Sequence, residues 1–242
     1  MITSKQNDKI KLVCSLRDKK SRDQLGLYLA EGVKSVEEAR KKSALIVEIF
    51  ATEKGAELLS VKDGVTLVSN EVFAKITDQV SPQGVIALIK KPNLELRSPK
   101  NRALFLDGVS DPSNVGAIIR TAAATGYLDV YLTSNSADAF SPKAVRASMS
   151  GIFLVNVFVR ERKELLEVID CPIYVADMNG EDVFSFKAEK RHVLVIGNEA
   201  NGVSTELKNL ATNRLSIPME NDIESLNAGV SAGVIMYALK KS

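Results

Sequence analysis

Apolar residues in the first ninety positions come in short bursts that alternate between two spacings. Ile10, Val13 and Leu16 lie three apart, a helical spacing that predicts a helix over residues 8–19 ending in the polar turn KKSRDQ. Tyr28–Ala30 and Leu45–Ala51 read as strands, with a helix over Val33–Lys42 between them. The alternation continues with a helix at Glu53–Val61, a strand at Thr66–Ser69, a helix at Glu71–Thr77 and a strand at Val85–Ile89. Together these make a small α/β module with material for one sheet.

Residues 90–102 (KKPNLELRSPKNR) are polar, carry two prolines and lack periodicity, so a domain boundary is expected there. The expected division is an α/β domain over 1–92, a linker over 93–102 and a second domain over 103–242. In the second domain, strands are expected at Ala103–Leu106, Val130–Thr133, Phe153–Val159, Ile173–Ala176, Val193–Ile196 and Arg214–Ile217. Helices are expected at Ala117–Ala124, Pro142–Met149 and Lys163–Ile169, with a last one from about Glu224 to Leu239. Strands this apolar, most of them followed by helices, predict a parallel sheet covered on both faces. Ligands of such sheets sit beyond the carboxyl ends of the strands. Three unusual loops follow strands: DGVSDPSNVG from Asp107, GNEANG from Gly197 and PMENDIESLN from Pro218. They are expected to converge on one edge.

Composition narrows the chemistry. Apolar residues make up 45% of 242 and charged residues 26%, ordinary globular values. The apolar runs are too short to span a bilayer and the first residues lack a secretory h-region, so a cytoplasmic protein is expected. Two cysteines, Cys14 and Cys171, and one histidine, His192, cannot supply a tetrahedral zinc site or a disulfide scaffold, so no metal is expected. A Ser-His-Asp hydrolase is equally disfavoured, and His192 reads as a strand-entry residue. No dinucleotide-binding glycine fingerprint follows any strand, which disfavours a nucleotide-dependent oxidoreductase. Net charge is only +2, yet Lys5, Lys9, Lys11, Arg17, Lys19, Lys20 and Arg22 crowd the amino terminus. Two readings stand for that run, a solvated helix face and a phosphate-contacting patch. Lys143 and Arg146, in SPKAVRASMSGIF, carry the same pair of readings.

Taken alone, Asp107–Arg120 is a turn leading into a capped helix, with Asn114 as N-cap and Arg120 toward solvent. GNEANG is a turn before a helix start. Ile217 and Met219 score as core. In order and spacing, however, the three segments resemble the signature motifs of the SPOUT methyltransferases, TrmH/SpoU branch. Residues 1–92 more loosely resemble the ribosomal-protein-like α/β substrate-binding domain that precedes many of them, through IKLVCSLRDKKSR and YLAEG.

The resemblance implies an α/β fold with a deep trefoil knot in its carboxyl-terminal parallel-sheet domain, a homodimer, and S-adenosylmethionine as cofactor. It implies methyl transfer to a ribose 2′-OH in RNA, with large-subunit rRNA favoured over tRNA. A non-catalytic knotted RNA-binding paralogue is the contrasting reading. Catalytic roles fall on Arg120, Asn114, Glu199, Ser225 and Asn227. Cofactor contacts fall on Gly197, Asn198, Ile217, Met219 and Leu226, and RNA contacts on Lys11, Arg17, Lys19, Lys20, Arg22 and Arg146. Arg120 is read as a clamp and electrostatic group, because guanidinium stays protonated in proteins. Two positions depart from the family pattern: Ala200 and Asn221 stand where glycine is common. Asn is the next most tolerant residue for a left-handed turn.

Overall fold

A computed structural model describes residues 1–221 and 225–240. Its elements, in chain order, begin with α1 (Asp8–Ser15), α2 (Lys19–Leu25), β1 (Leu27–Glu31), α3 (Val33–Lys41), β2 (Ile46–Ala51), α4 (Glu53–Glu57), β3 (Val65–Leu67), α5 (Asn70–Ile76) and β4 (Val85–Lys90). They continue with β5 (Ala103–Asp107), α6 (Pro112–Thr125), β6 (Asp129–Thr133), α7 (Pro142–Ala147), β7 (Asn156–Arg160), α8 (Arg162–Glu167), β8 (Ile173–Asp182), β9 (Val193–Gly197), α9 (Thr205–Leu210), β10 (Asn213–Ser216) and α10 (Ala228–Lys240).

KKSRDQ is a helix rather than the expected turn. Asp18 accepts from the Ser21 N–H at its start, and Gly26, at φ 63°, closes it in the left-handed region. Capping residues therefore define a helix with almost no apolar periodicity. At the other end of the chain, α10 starts at Ala228 rather than Glu224, and Glu224 lies outside the described residues.

β1 to β4 form a four-stranded mixed sheet in the order β1-β4-β2-β3. Ile10, Val13 and Leu16 of α1 pack with Phe73 and Ile76 of α5 on one face, against Phe50, Ile86 and Leu88. The other six strands form a wholly parallel sheet in the order β10-β8-β9-β5-β6-β7. Alternation within β5 shows how it is covered on both sides: Leu104 and Leu106 face the cluster containing α6, while Ala103 and Phe105 face the one containing α9. Residues 93–102, expected as a linker, form no helix or strand but are pinned. Arg97 donates twice to Asp129, at 2.9 and 2.7 Å, and Leu94 and Leu96 pack onto the second cluster. The knot expected from the resemblance falls at the carboxyl-terminal end, where residues 222–224 and 241–242 lie outside the described residues.

The two sheets meet along one continuous core. Tyr28 of β1 packs on Phe140 with ring centroids 5.0 Å apart. Beside them Arg22 overturns its expected role as an RNA contact. Its side chain is 4% exposed, pairs with Asp138 at 2.7 Å, and donates to the carbonyls of Leu16 and Arg17. A buried guanidinium needs this full set of acceptors, so Arg22 cannot reach a phosphate. Arg17 is similarly committed, to Asp78 at 2.8 Å and to the carbonyls of Lys75 and Thr77. Lys11, Lys19, Lys20 and Arg146 remain exposed. Removing one partner of a buried ion pair strands the other, so Asp138→Ala is expected to lower unfolding free energy by about 3–5 kcal/mol. Urea denaturation checks this, and a loss below about 1 kcal/mol would place the pair among weak surface contacts.

Candidate active site

The three loops converge beyond the carboxyl ends of β5, β9 and β10, and hydrogen bonds from single side chains join them. Gly108, left-handed at φ 74°, turns the chain after β5 and donates to Thr133 Oγ1 and Ser136 Oγ, both at 3.0 Å. The helix that follows is capped by Asp111, not by Asn114, with Pro112 in its first turn. This frees Asn114, 8% exposed, to point inward. Its amide donates to Glu199 at 2.8 Å, and its carbonyl accepts from Asn227 Nδ2 at 3.0 Å. Asn227 in turn caps α10, accepting from the N–H groups of Gly229 and Val230. One residue from each motif thus forms a chain from Glu199 through Asn114 to Asn227.

Glu199 accepts four hydrogen bonds, from the Ser110 N–H and hydroxyl, the Asp111 N–H and the Asn114 amide. Burial pushes its carboxyl up, but those donors outweigh it and hold the group at about 2. Asn198 makes a parallel tie, donating to the Gly108 carbonyl at 2.8 Å. The loop Asn198–Gly202 closes on itself by reciprocal backbone bonds, with Gly202 at φ 68° as the left-handed residue. Ala200 is not a positive-φ position, so its departure from the family pattern has no backbone cost. Asn221, at φ 58°, does occupy the left-handed region. Gly197 is required by a close approach: an added Cβ would come within 2.3 Å of Val203 N.

A cavity of about 340 Å³ opens between β8, β10 and α10. Ile217, Met219, Ser225 and Leu226 line it, whereas Gly197 and Asn198 do not. Sequence reasoning missed the walls supplied by Ala176, Asp177 and Met178 of β8 and by Ser231 and Ile235 of α10. Asp177 was findable, since it directly follows an apolar strand run at the ligand edge of a parallel sheet. Burial pushes its carboxyl up, yet Lys208 at 2.9 Å leaves it below the ordinary carboxylate range. Arg120 stands apart from this cavity. It is exposed on the flank of α6 that meets Gly151, while α10 packs along Ala117 and Thr121. Among the described residues its guanidinium has no hydrogen-bond or ion-pair partner.

A parallel sheet with a locked triple-loop edge beside a mixed apolar and polar cavity has the form of a ligand site of an α/β enzyme. Residues 101–237 match the SpoU rRNA Methylase family, and residues 7–87 match the MRM3-like substrate binding domain. The chain belongs to the SpoU rRNA methylase family. It is 30% identical to the 23S rRNA (guanosine(2553)-2′-O)-methyltransferase of Bacillus subtilis, over 99% of this chain and 98% of that protein. It is 33% identical to the 23S rRNA (uridine(2479)-2′-O)-methyltransferase of Streptomyces viridochromogenes, over 65% of this chain and 60% of that one. The AdoMet-bound rRNA methyltransferase from Sinorhizobium meliloti superposes with a TM-score of 0.88 at 28% identity, covering 99% and 97% of the two chains. The fold is therefore that of the SPOUT methyltransferases.

The Glu199 carboxylate, held at about 2, has a sign-definite consequence. Its contribution to stability is complete above the unfolded carboxylate value near ~4.3 and is lost as pH falls toward 2. Glu199→Gln is expected to flatten that acidic part of the stability profile, measured by urea denaturation from pH 7 to pH 2. Parallel profiles for variant and parent would refute the assignment.

Proposed function

We propose that this protein transfers the methyl group of S-adenosylmethionine to a ribose 2′-OH of large-subunit ribosomal RNA in the cytoplasm. The observation that carries this reading is the Glu199–Asn114–Asn227 chain, which joins all three family motifs beside a cavity of cofactor size. The residues present suit the cofactor. Leu215, Ile217, Leu226 and Ile235 offer apolar surface to a purine, and Asp177, Ser216, Ser225 and Ser231 offer polar groups to the rest. When bound, S-adenosylmethionine supplies an electrophilic methyl on a sulfonium.

The chain's own residues then have positional tasks. Geometry can supply about 7–11 kcal/mol of a transfer barrier. Asn114, Glu199 and Asn227 act as positioning residues that hold the loops rigid around the reacting groups. Glu199 is no general base near neutrality, because its lone pairs are occupied and its carboxyl titrates at about 2. Arg120, unpaired among the described residues, serves as the clamp for an RNA phosphate or the reacting hydroxyl. Residues 1–92 form the substrate-binding domain, with Lys11, Lys19 and Lys20 as its accessible cations, and Arg146 of α7 adds a cation from the second domain. Arg120→Lys keeps the charge but loses the fork, and should lower kcat/KM on the order of 10²-fold. The assay is tritiated-methyl incorporation into unmodified rRNA, with the labelled nucleoside identified by mass spectrometry. Label on a base, or near-normal turnover by the variant, would overturn the proposal.

A homodimer completes this reading. Arg120 lies off the cavity of its own chain, and α10 presents Val230 and Tyr237, 53% and 50% exposed, seven residues apart on one face. Pairing two copies through this stripe would bring Arg120 of one to the cavity of the other. Val230→Asp should give a monomer by light scattering at micromolar concentration, with methyl transfer lost. A fully active monomer would argue against the shared site.

A further inference from the structure

A second concavity, of about 210 Å³, lies where the four-stranded sheet meets α7, and of its lining residues the reaction as proposed uses only Arg146. Lys34, Gln79 and Gln83 line one wall, and Arg146, Met149 and Ser150 line the other. Met149 and Ser150 are consecutive left-handed residues, at φ 46° and 73°. Side-chain-bearing residues adopt that conformation at a cost, and it persists only where neighbours enforce it. Here they do. Ser148 is fully buried and donates to the Val145 carbonyl at 2.7 Å. Gly151 packs so tightly on α6 that an added Cβ would lie 2.9 Å from the Arg120 Cα. The enforced turn leaves the Met149 side chain 51% exposed at the groove, next to the helix segment that bears Arg120.

The opposite wall is polar and defined. Gln83 Oε1 accepts from the Val33 N–H at 2.9 Å, and among the described residues its NH₂ has no acceptor. Glu31, the acid of the groove, accepts from the Thr77 hydroxyl. Lys34 and Arg146 are exposed, one on each side. A ligand here meets an apolar, polarisable side chain between two cations, with amide donors along one edge. A nucleotide has that chemistry: a flat base to pack on, flanking phosphates, and acceptors on the base edge.

We propose that this groove seats a nucleotide flanking the target ribose, with Met149 packed on its base and Lys34 and Arg146 on the adjoining phosphates. The proposal rests on the RNA-methyltransferase reading above. It makes Met149 and Gln83 specificity-determining contacts and extends the RNA path from the amino-terminal sheet to Arg120.

The test is fluorescence anisotropy with a labelled, unmodified single-stranded rRNA fragment, which needs no turnover. Met149→Asn suits the left-handed turn and removes the thioether. Arg146→Ala removes a phosphate contact. Each should raise Kd about 10-fold, and Arg146→Ala should also reduce the slope of log Kd on log salt by about 0.7. Met149→Leu should bind like the parent, and S-adenosylmethionine affinity by calorimetry should be unchanged in all three. Unaltered Kd and salt slope in Met149→Asn and Arg146→Ala would overturn the groove, whatever the parent methylates. Weakened RNA binding in those variants alongside a parent that transfers no methyl would support the groove and overturn the reaction instead.

Discussion

The carboxylate of Glu199 and the side chain of Asn114 are the joint on which the site depends. Three chain segments, the first 85 and 113 residues from the other two, would otherwise meet only through loops, the least rigid parts of a fold. Glu199 draws in the turn after β5 through two backbone N–H groups and a hydroxyl. Asn114 uses both ends of its amide, donating to Glu199 and accepting from Asn227. Because Asn227 also caps α10, the position of the last helix is referred back to the start of α6. The arrangement works only because Asp111 takes over the capping of α6. Were Asn114 the cap, its side chain would be spent on backbone and the link to α10 would be missing.

The same edge is braced from the amino-terminal side. Arg22 grips Asp138, and in the same loop Ala137 donates to the Val109 carbonyl while Ser136 accepts from Gly108. Gly108 accepts in turn from Asn198. An unbroken run of contacts therefore leads from the junction of α1 and α2 to the loops of the catalytic edge. Buried polar links of this kind are worth little as stability but demand one geometry. Asp107 strengthens the same edge, taking Arg162 of α8 at 2.7 Å and the Ser204 N–H at 2.9 Å.

Much of this was legible in the chain. The strands of the second sheet are continuous apolar runs, and their order with the three polar loops carries the family's signature. Ile217, Met219, Ser225 and Leu226 were singled out by motif position, and all four line the cavity. What escaped was whatever depends on which side of an element faces a partner. Arg22 lies in a run of cations that looks like one surface, yet α2 turns that residue alone into the interface with Asp138. α2 itself lacks an apolar stripe and is visible only through Asp18 and Gly26. Asn114 was misread as a cap because Asp111 sits before a proline, where either residue suits the role locally. Asp177, Ser231 and Ile235 carry no motif and enter the cavity only because β8 runs on beside β10 and α10 folds across both.

These constraints also limit where proton removal can come from. Glu199 is saturated with donors, and a carboxyl held at about 2 is a poor base for a hydroxyl. Arg120 offers a guanidinium, which has donors and no acceptor. Neither supplies a preformed strong base, so the balance of catalysis shifts to alignment, for which a rigid three-loop joint is the appropriate device. On the proposed roles, alignment requires both partners of the reaction to be held, and one chain would hold them on different flanks: the cavity between β8, β10 and α10, and the Arg120 guanidinium, unpaired among the described residues, on the α6 flank that meets Gly151. On the proposed reading, a site so divided would make assembly a condition of chemistry rather than an addition to it, with a second copy bringing clamp and cavity face to face.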